Sequence, residues 1–122
     1  MTSAFTRAAT PATGQNVWLR AAGELPDDPV LHTCIVTYAS DMTLLDTTVL
    51  PFGLAWDSPG LQMASLDHAM WFHRSFRADE WLLYATDSPW SGGSRGFARG
   101  QIFDRAGKLV ASVSQEGMLR EA

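Results

Sequence analysis

The alternation of apolar and polar residues divides the chain into a featureless start, one helical segment and a run of strands. Residues 1–16, MTSAFTRAATPATGQN, are small and polar. They offer little to bury against the backbone entropy that ordering would cost, and read as a flexible tail or linker remnant. Ordered sequence is expected from Val17, with Val17, Trp18 and Leu19 a short strand that ends before Gly23 and Pro26. Asp27 and Asp28 then precede Pro29, which supplies an acidic N-cap and a proline at the first helical position, where no N–H is needed. From there, apolar residues at 30, 31, 34, 35, 38, 39, 42 and 45 form a broad stripe at helical spacing, expected to face the core. The helix is expected to run to about Thr47 and Thr48, because β-branched residues and the following Pro51 and Gly53 disfavour continuation.

After Gly60 the helical period gives way to strands. Residues 64–73 alternate in part, with Leu66, Met70 and Phe72 on one side and Ser65, Asp67, Ala69, Trp71 and His73 on the other. Further strands are predicted over Trp81–Thr86, Gly96–Phe103 and Leu109–Leu119. A turn-rich stretch through Pro89 and Gly92-Gly93 separates the first two, and turn chemistry over Asp104–Gly107 marks a hairpin between the last two. The order of strand, long helix and four strands predicts an α+β fold in which one helix is wrapped by a curved antiparallel sheet.

With 122 residues and 46% hydrophobic content, the chain has material for one core, so a single domain over 17–122 is expected. The net charge of −4 argues against a nucleic-acid partner, which normally meets a basic surface. The single cysteine, Cys34, excludes an intrachain disulfide and fits a reducing compartment. No apolar stretch approaches the roughly 18 residues needed to span a bilayer, so no membrane association and a cytoplasmic location are expected.

The candidate chemistry lies where polar residues interrupt apolar patterns. Asp41 stands three residues after Tyr38 and seven after Cys34, on the helical stripe, so its carboxylate is expected to point toward the core. It is either a charge at the stripe's edge, solvated or paired with an arginine, or a desolvated base. Asp67, His68, His73 and Arg74 break the apolar run of 64–76. Asp67 and His68 are adjacent on a strand and so face opposite ways, which argues against direct cooperation. His68, His73 and Arg74 read as structural polar residues or pocket-rim contacts, or as participants in the chemistry. No metal site is expected, since His32, His68, His73 and Cys34 lack zinc-type spacing. The chain has no G-x-S-x-G context for a serine triad, and Gly92, Gly93, Gly96 and Gly100 match no phosphate-binding loop.

The phrases LPDDPVLHTCIVTYASD, SLDHAMWFHRSFRADEWLLY and GFARGQIFDRAGKLVASVSQEG, met in this order over residues 17–120, resemble the C-terminal half of the bacterial acyl-CoA thioesterase II family, the TesB type. The resemblance implies a hotdog fold and hydrolysis of fatty acyl-CoA without a cofactor. The family's catalytic aspartate, hydroxyl and glutamine carry over to Asp41, Ser65 and Gln115. The hydroxyl is serine here where some relatives have threonine. Arg74, Arg77, Arg95 and Arg99 are the candidates for holding the CoA phosphates, each otherwise serving surface solubility. The family joins two hotdog units in one chain and this sequence matches only the second. The expectation is therefore a homodimer, or a missing N-terminal half, with some of Trp18, Trp56, Trp71, Trp81 and Trp90 at the interface. Two other functions stay open on this reading: a non-catalytic acyl-CoA-binding or assembly module, and dehydratase or hydratase action on an acyl thioester.

Overall fold

In the computed structural model, which describes residues 14–54 and 57–121, a helix lies against the concave face of a curled six-stranded antiparallel sheet. The helix, α1 (Pro29–Asp41), starts where the sequence places it. Asp28 accepts the Val30 N–H at 3.0 Å and Pro29 occupies the first turn. It ends earlier than expected, at Asp41, and the chain continues through two 3-10 turns, Leu45–Thr48 and Leu50–Phe52. Side chains hold this tighter path. Thr48 Oγ1 donates to the Leu45 carbonyl at 2.6 Å, Gln15 Nε2 donates to the Thr43 carbonyl at 3.1 Å, and the Thr47 and Thr86 hydroxyls meet at 2.8 Å. Hydroxyls that bond nearby backbone compete with the α-helical ladder.

The helix also presents a different face to the sheet from the one expected. His32, Val36 and Ser40 are buried, flanked by half-buried Leu31, Ile35 and Ala39, while Val30, Cys34, Tyr38 and Met42 face outward. Tyr38 is 76% exposed and Met42 68%. The apolar stripe is therefore two faces, of which the sheet covers one. The polar residues of the covered face are tolerated because they are bonded: His32 Nδ1 accepts the Ala78 N–H at 2.8 Å and its Nε2 lies 2.9 Å from the Pro26 carbonyl.

The strands are β1 (Gly14–Leu19), β2 (Leu61–Ser65), β3 (Ala69–Phe72), β4 (Leu82–Gly92), β5 (Arg95–Phe103) and β6 (Leu109–Glu121). Their order is β1-β4-β5-β6, with both β2 and β3 paired to the far side of β6. β1 opens at Gly14, three residues ahead of the expected Val17; residues 1–13 of the expected tail, like Trp56, lie outside the described residues. β4 continues beyond Thr86 through the stretch read as turns. Pro89 falls where β4 leaves register with β5 between Asp87 and Trp90, the kind of irregularity that accepts a residue without an N–H. The turn itself is only Gly93 and Ser94, both with positive φ (59° and 62°), as a two-residue hairpin requires.

The concave face packs Tyr84, Ala98, Ile102, Val110 and Val113 against Val36 of α1. A smaller cluster of Leu45, Val49 and Leu119 closes the end beyond the helix. Close approach explains two glycines: a Cβ on Gly100 would run into the Tyr84 ring, and one on Gly117 into Leu45. The Tyr84 hydroxyl donates to the Ser40 carbonyl at 2.8 Å, satisfying a backbone acceptor in the last turn of α1.

β2 and β3 are separated by a β-bulge rather than forming the continuous strand expected over 64–73. Ser65 pairs with Gly117 and Ala69 with Ser114, so four steps on the edge strand oppose three on β6. The Leu66 and Asp67 N–H groups both point at the Glu116 carbonyl, at 2.9 and 3.4 Å, and Asp67 Oδ1 accepts the Glu116 N–H at 2.7 Å. One extra residue reverses the alternation. Leu61, Met63 and Ser65 face inward before the bulge, and His68 and Met70 after it. Ser65 thus joins the side of Met70, contrary to the division read from the sequence.

An ion cluster ties the loop before α1 to the loop after β3. Arg77 grips both Asp79 oxygens at 3.0 Å, donates to the Leu25 carbonyl at 2.9 Å and reaches Asp27, while Asp79 Oδ2 accepts the Leu25 N–H at 2.8 Å. The guanidinium, with help from that N–H, lowers the Asp79 carboxyl from 3.8 to about 2. A depressed carboxylate contributes stability that is present above its unfolded value and lost as pH falls through the folded one. The urea midpoint gap between wild type and Asp79→Asn is therefore expected to hold steady above about pH 5 and to close between pH 4 and 2. A gap independent of pH over that range would remove the ion cluster as its cause. Among the described residues, no helix is long and apolar enough to cross a membrane.

Candidate active site

Three of the residues singled out in the sequence meet at the C-terminal end of α1. Asp41 is the helix's last residue, where the macrodipole disfavours an anion by about 0.3–1 kcal/mol. Ser65 closes β2, and Gln115 lies on the inner face of β6, fully buried. Gln115 Nε2 donates to Ser65 Oγ at 2.9 Å, and Ser65 Oγ donates to Asp41 Oδ1 at 3.3 Å. Amide, hydroxyl and carboxylate form one directed chain from the sheet to the helix. Asp41 is not turned into the core as expected: its side chain is 54% exposed, because the helix face that carries Tyr38 and Met42 is itself uncovered.

A fourth residue completes the cluster. His68 Nδ1 bonds Gln115 Oε1 and lies 3.8 Å from Asp41 Oδ1, and its Nε2 is 2.8 Å from Ser40 Oγ. The ring bridges helix and sheet beside the Asp41–Ser65–Gln115 chain. Sequence reading left His68 between a structural role and a chemical one. Its placement depends on the bulge, which strand periodicity does not reveal, and the available signal was a histidine breaking an apolar run. Beneath the site, burial pushes the Tyr84 phenol well above its ordinary value, and the nearby Asp41 charge adds to the shift. That phenol stays a hydrogen-bond donor to Ser40 throughout the neutral range.

The other candidates do not join this cluster. Asp67 is spent on the bulge, and His73 Nε2 meets Ser112 Oγ at 2.9 Å on an exposed part of the sheet. Three of the four arginines are held by carboxylates. Arg77 belongs to the loop clasp, Arg95 reaches Glu116 at 3.3 Å, and Arg99 grips Asp87 at 2.7 and 2.9 Å across the β4–β5 ladder. Arg74 is exposed, in a groove lined by Pro29, Thr33, Phe72, His73 and Phe76 between the start of α1 and the exit of β3.

The human acyl-coenzyme A thioesterase 8 is 44% identical over 107 residues, 87% of this chain and 33% of the human protein. The crystal structure of an acyl-CoA thioesterase II, TesB2, from Mycobacterium marinum superimposes with a TM-score of 0.83 at 51% identity, covering 92% of this chain and 43% of that one. A hot-dog-like protein from Thermanaerovibrio acidaminovorans shares the fold at 13% identity, with a TM-score of 0.67 and coverage of 91% and 83%. The helix wrapped by a curled sheet is thus a hotdog fold, and the chain spans about a third of the curated relative and less than half of the mycobacterial one. The acyl-CoA thioesterase family profile matches residues 6–118, nearly the whole length that carries the fold and the cluster at Asp41, and the chain belongs to that family.

Proposed function

We propose that this chain hydrolyses fatty acyl-CoA to the free acid and CoA by direct attack of water. The observation that carries the reading is the hydrogen-bonded chain of Gln115, Ser65 and Asp41 at the end of α1, in a member of the acyl-CoA thioesterase family. Asp41 accepts a proton from a water molecule as its oxygen attacks the thioester carbonyl; Ser65 and Gln115 orient that water. Backbone N–H groups stabilise the tetrahedral oxyanion. The C–S bond then breaks, and the proton held by Asp41 goes to the departing CoA sulfur. Water is the only co-reactant, and no cofactor takes part.

A second hotdog unit completes the site in this reading. It is either another copy of the chain or an N-terminal half joined to it. Val30, Tyr38 and Met42 leave one face of α1 bare, and β3 pairs only with β6, leaving a strand edge open among the described residues. Of the tryptophans expected there, Trp71 lies on that edge strand, whereas Trp18 and Trp81 sit at the β1 end, where Arg20 stacks over Trp81 at 4.4 Å. Covering α1 would also desolvate Asp41, as a base requires. The exposed thiol of Cys34 suits a reducing compartment, and on that ground we assign the protein to the cytoplasm.

Purified protein is expected to run as a dimer in size-exclusion chromatography with light scattering, and to release CoA and free acid from a medium-chain acyl-CoA. A monodisperse monomer would refute the homodimer. Binding of acyl-CoA with no release of thiol would turn the assignment into a binding module.

A further inference from the structure

We propose that His68 is a positioning residue for hydrolysis: its Nδ1–H fixes which end of the Gln115 amide faces Ser65. The proposal rests on the assignment of Asp41, Ser65 and Gln115 made above. A glutamine side chain has nearly the same shape with its oxygen and nitrogen exchanged, so in a fully buried position only its hydrogen-bond partners decide the orientation. In the orientation that puts the Gln115 oxygen against His68 Nδ1, the oxygen can only accept, so the contact requires a proton on Nδ1. Nε2 then accepts, so Ser40 Oγ at 2.8 Å turns toward it the one hydroxyl proton that the Thr37 carbonyl at 2.7 Å also competes for.

The orientation has a consequence at the carboxylate. With its oxygen taken by His68, Gln115 offers an N–H to Ser65, and the serine's single hydroxyl proton is then free to point at Asp41. With the amide reversed, two donors would collide at His68, and the Gln115 carbonyl would draw the serine proton away from Asp41. A water-activating carboxylate would lose its positioned partner. His68 thus sets the direction of the whole chain without touching the substrate.

The ring is held for this task from three sides. The bulge turns His68 inward in the same sense as Ser65, and Asp67 pins the bulge to the Glu116 N–H at 2.7 Å. Ser40 supplies the anchor at Nε2, and its own carbonyl is fixed by the Tyr84 hydroxyl at 2.8 Å. A residue serving only to join helix and sheet would not need a particular nitrogen protonated, which gives the proposal a distinctive test.

His68→Asn keeps an N–H donor near the position of Nδ1 while giving up the Ser40 anchor, whereas His68→Ala removes both. In hydrolysis of a medium-chain acyl-CoA, the alanine variant is expected to lose about 10–100-fold in kcat with KM little changed, less than the roughly 10²–10⁴-fold that a positioned acid or base itself supplies. The asparagine variant is expected to recover most of that loss. In parallel, 15N NMR of histidine-labelled wild-type protein, with the His68 resonances assigned by their absence from the His68→Asn spectrum, is expected to show a proton on Nδ1. An unprotonated Nδ1 overturns the proposal whether or not the chain hydrolyses thioesters. Equal kcat in the alanine variant and wild type, or an asparagine variant no better than alanine, also overturns it. Failure of the underlying site assignment looks different: Asp41→Asn would keep its activity while the Nδ1 proton remained in place.

Discussion

Asp41→Asn is expected to lower kcat for acyl-CoA hydrolysis by at least about 10²-fold, the lower end of what a positioned general base contributes. The substitution is nearly isosteric, and the amide oxygen still accepts from Ser65 where the carboxylate does so at 3.3 Å. The charge is removed and one accepting oxygen becomes an NH2 donor with little change of shape, so the protein is expected to fold and KM to change little. The helix offers no reason of its own to keep an anion there. An aspartate at the last position of α1 works against the macrodipole, so the asparagine variant is expected to be no less stable than wild type. Loss of turnover combined with unchanged or improved stability is the signature of a group retained for chemistry. Near-normal turnover would remove Asp41 from the mechanism.

The largest expected effect on stability comes from Gly100→Val. On an open strand, valine is favoured over glycine by up to about 1 kcal/mol, so the sign of the measured change is informative. Here the added Cβ falls on the Tyr84 ring, which is fully buried and has nowhere to retreat. Overpacking of this kind costs about 1–3 kcal/mol, and displacing the ring also breaks its bond to the Ser40 carbonyl, a further 1–3 kcal/mol or so for a buried group left unpaired. The clash outweighs the strand preference, and a net loss of roughly 1–5 kcal/mol is expected, a large part of the typical total stability of about 5–15 kcal/mol. Chemical denaturation provides the measurement. Gly23→Ala, where nothing lies within 4 Å of the added atom, serves as the control and is expected to change stability by less than about 0.5 kcal/mol. If Gly100→Val matched that control, the contact between Tyr84 and β5 would not be a constraint on the fold.

The sequence disclosed features governed by local chemistry and concealed those decided by partners distant in the chain. The start of α1 was legible because Asp28 and Pro29 act within one turn, and the β5–β6 hairpin because Asp104 and Gly107 do likewise, with the Gly107 N–H on the Asp104 carbonyl at 3.0 Å. The end of α1 was not, since its early finish depends on Gln15 and Thr86 meeting the segment after it. Pro89 and its neighbours have turn composition, yet they lie in a strand because β5 tolerates a register shift there. Periodicity found the apolar stripe of α1 but could not say which half of it the sheet would cover. Asp41, Ser65 and Gln115 were reached through matching phrases, whereas the exposure of Asp41 and the part played by His68 needed coordinates.

The extra residue between Ser65 and Ala69 gives the edge strand a property that no tally of residue types would register. Pairing every residue after Ser65 with β6 in turn, with no bulge, would slip the second half-strand by one place along β6 and turn its faces over. The serine and the segment after it would then no longer look into the same cavity. Spacing, as much as side-chain identity, is therefore part of what this stretch encodes, and a variant of it that scores as a near-perfect match could still have lost the arrangement around Asp41.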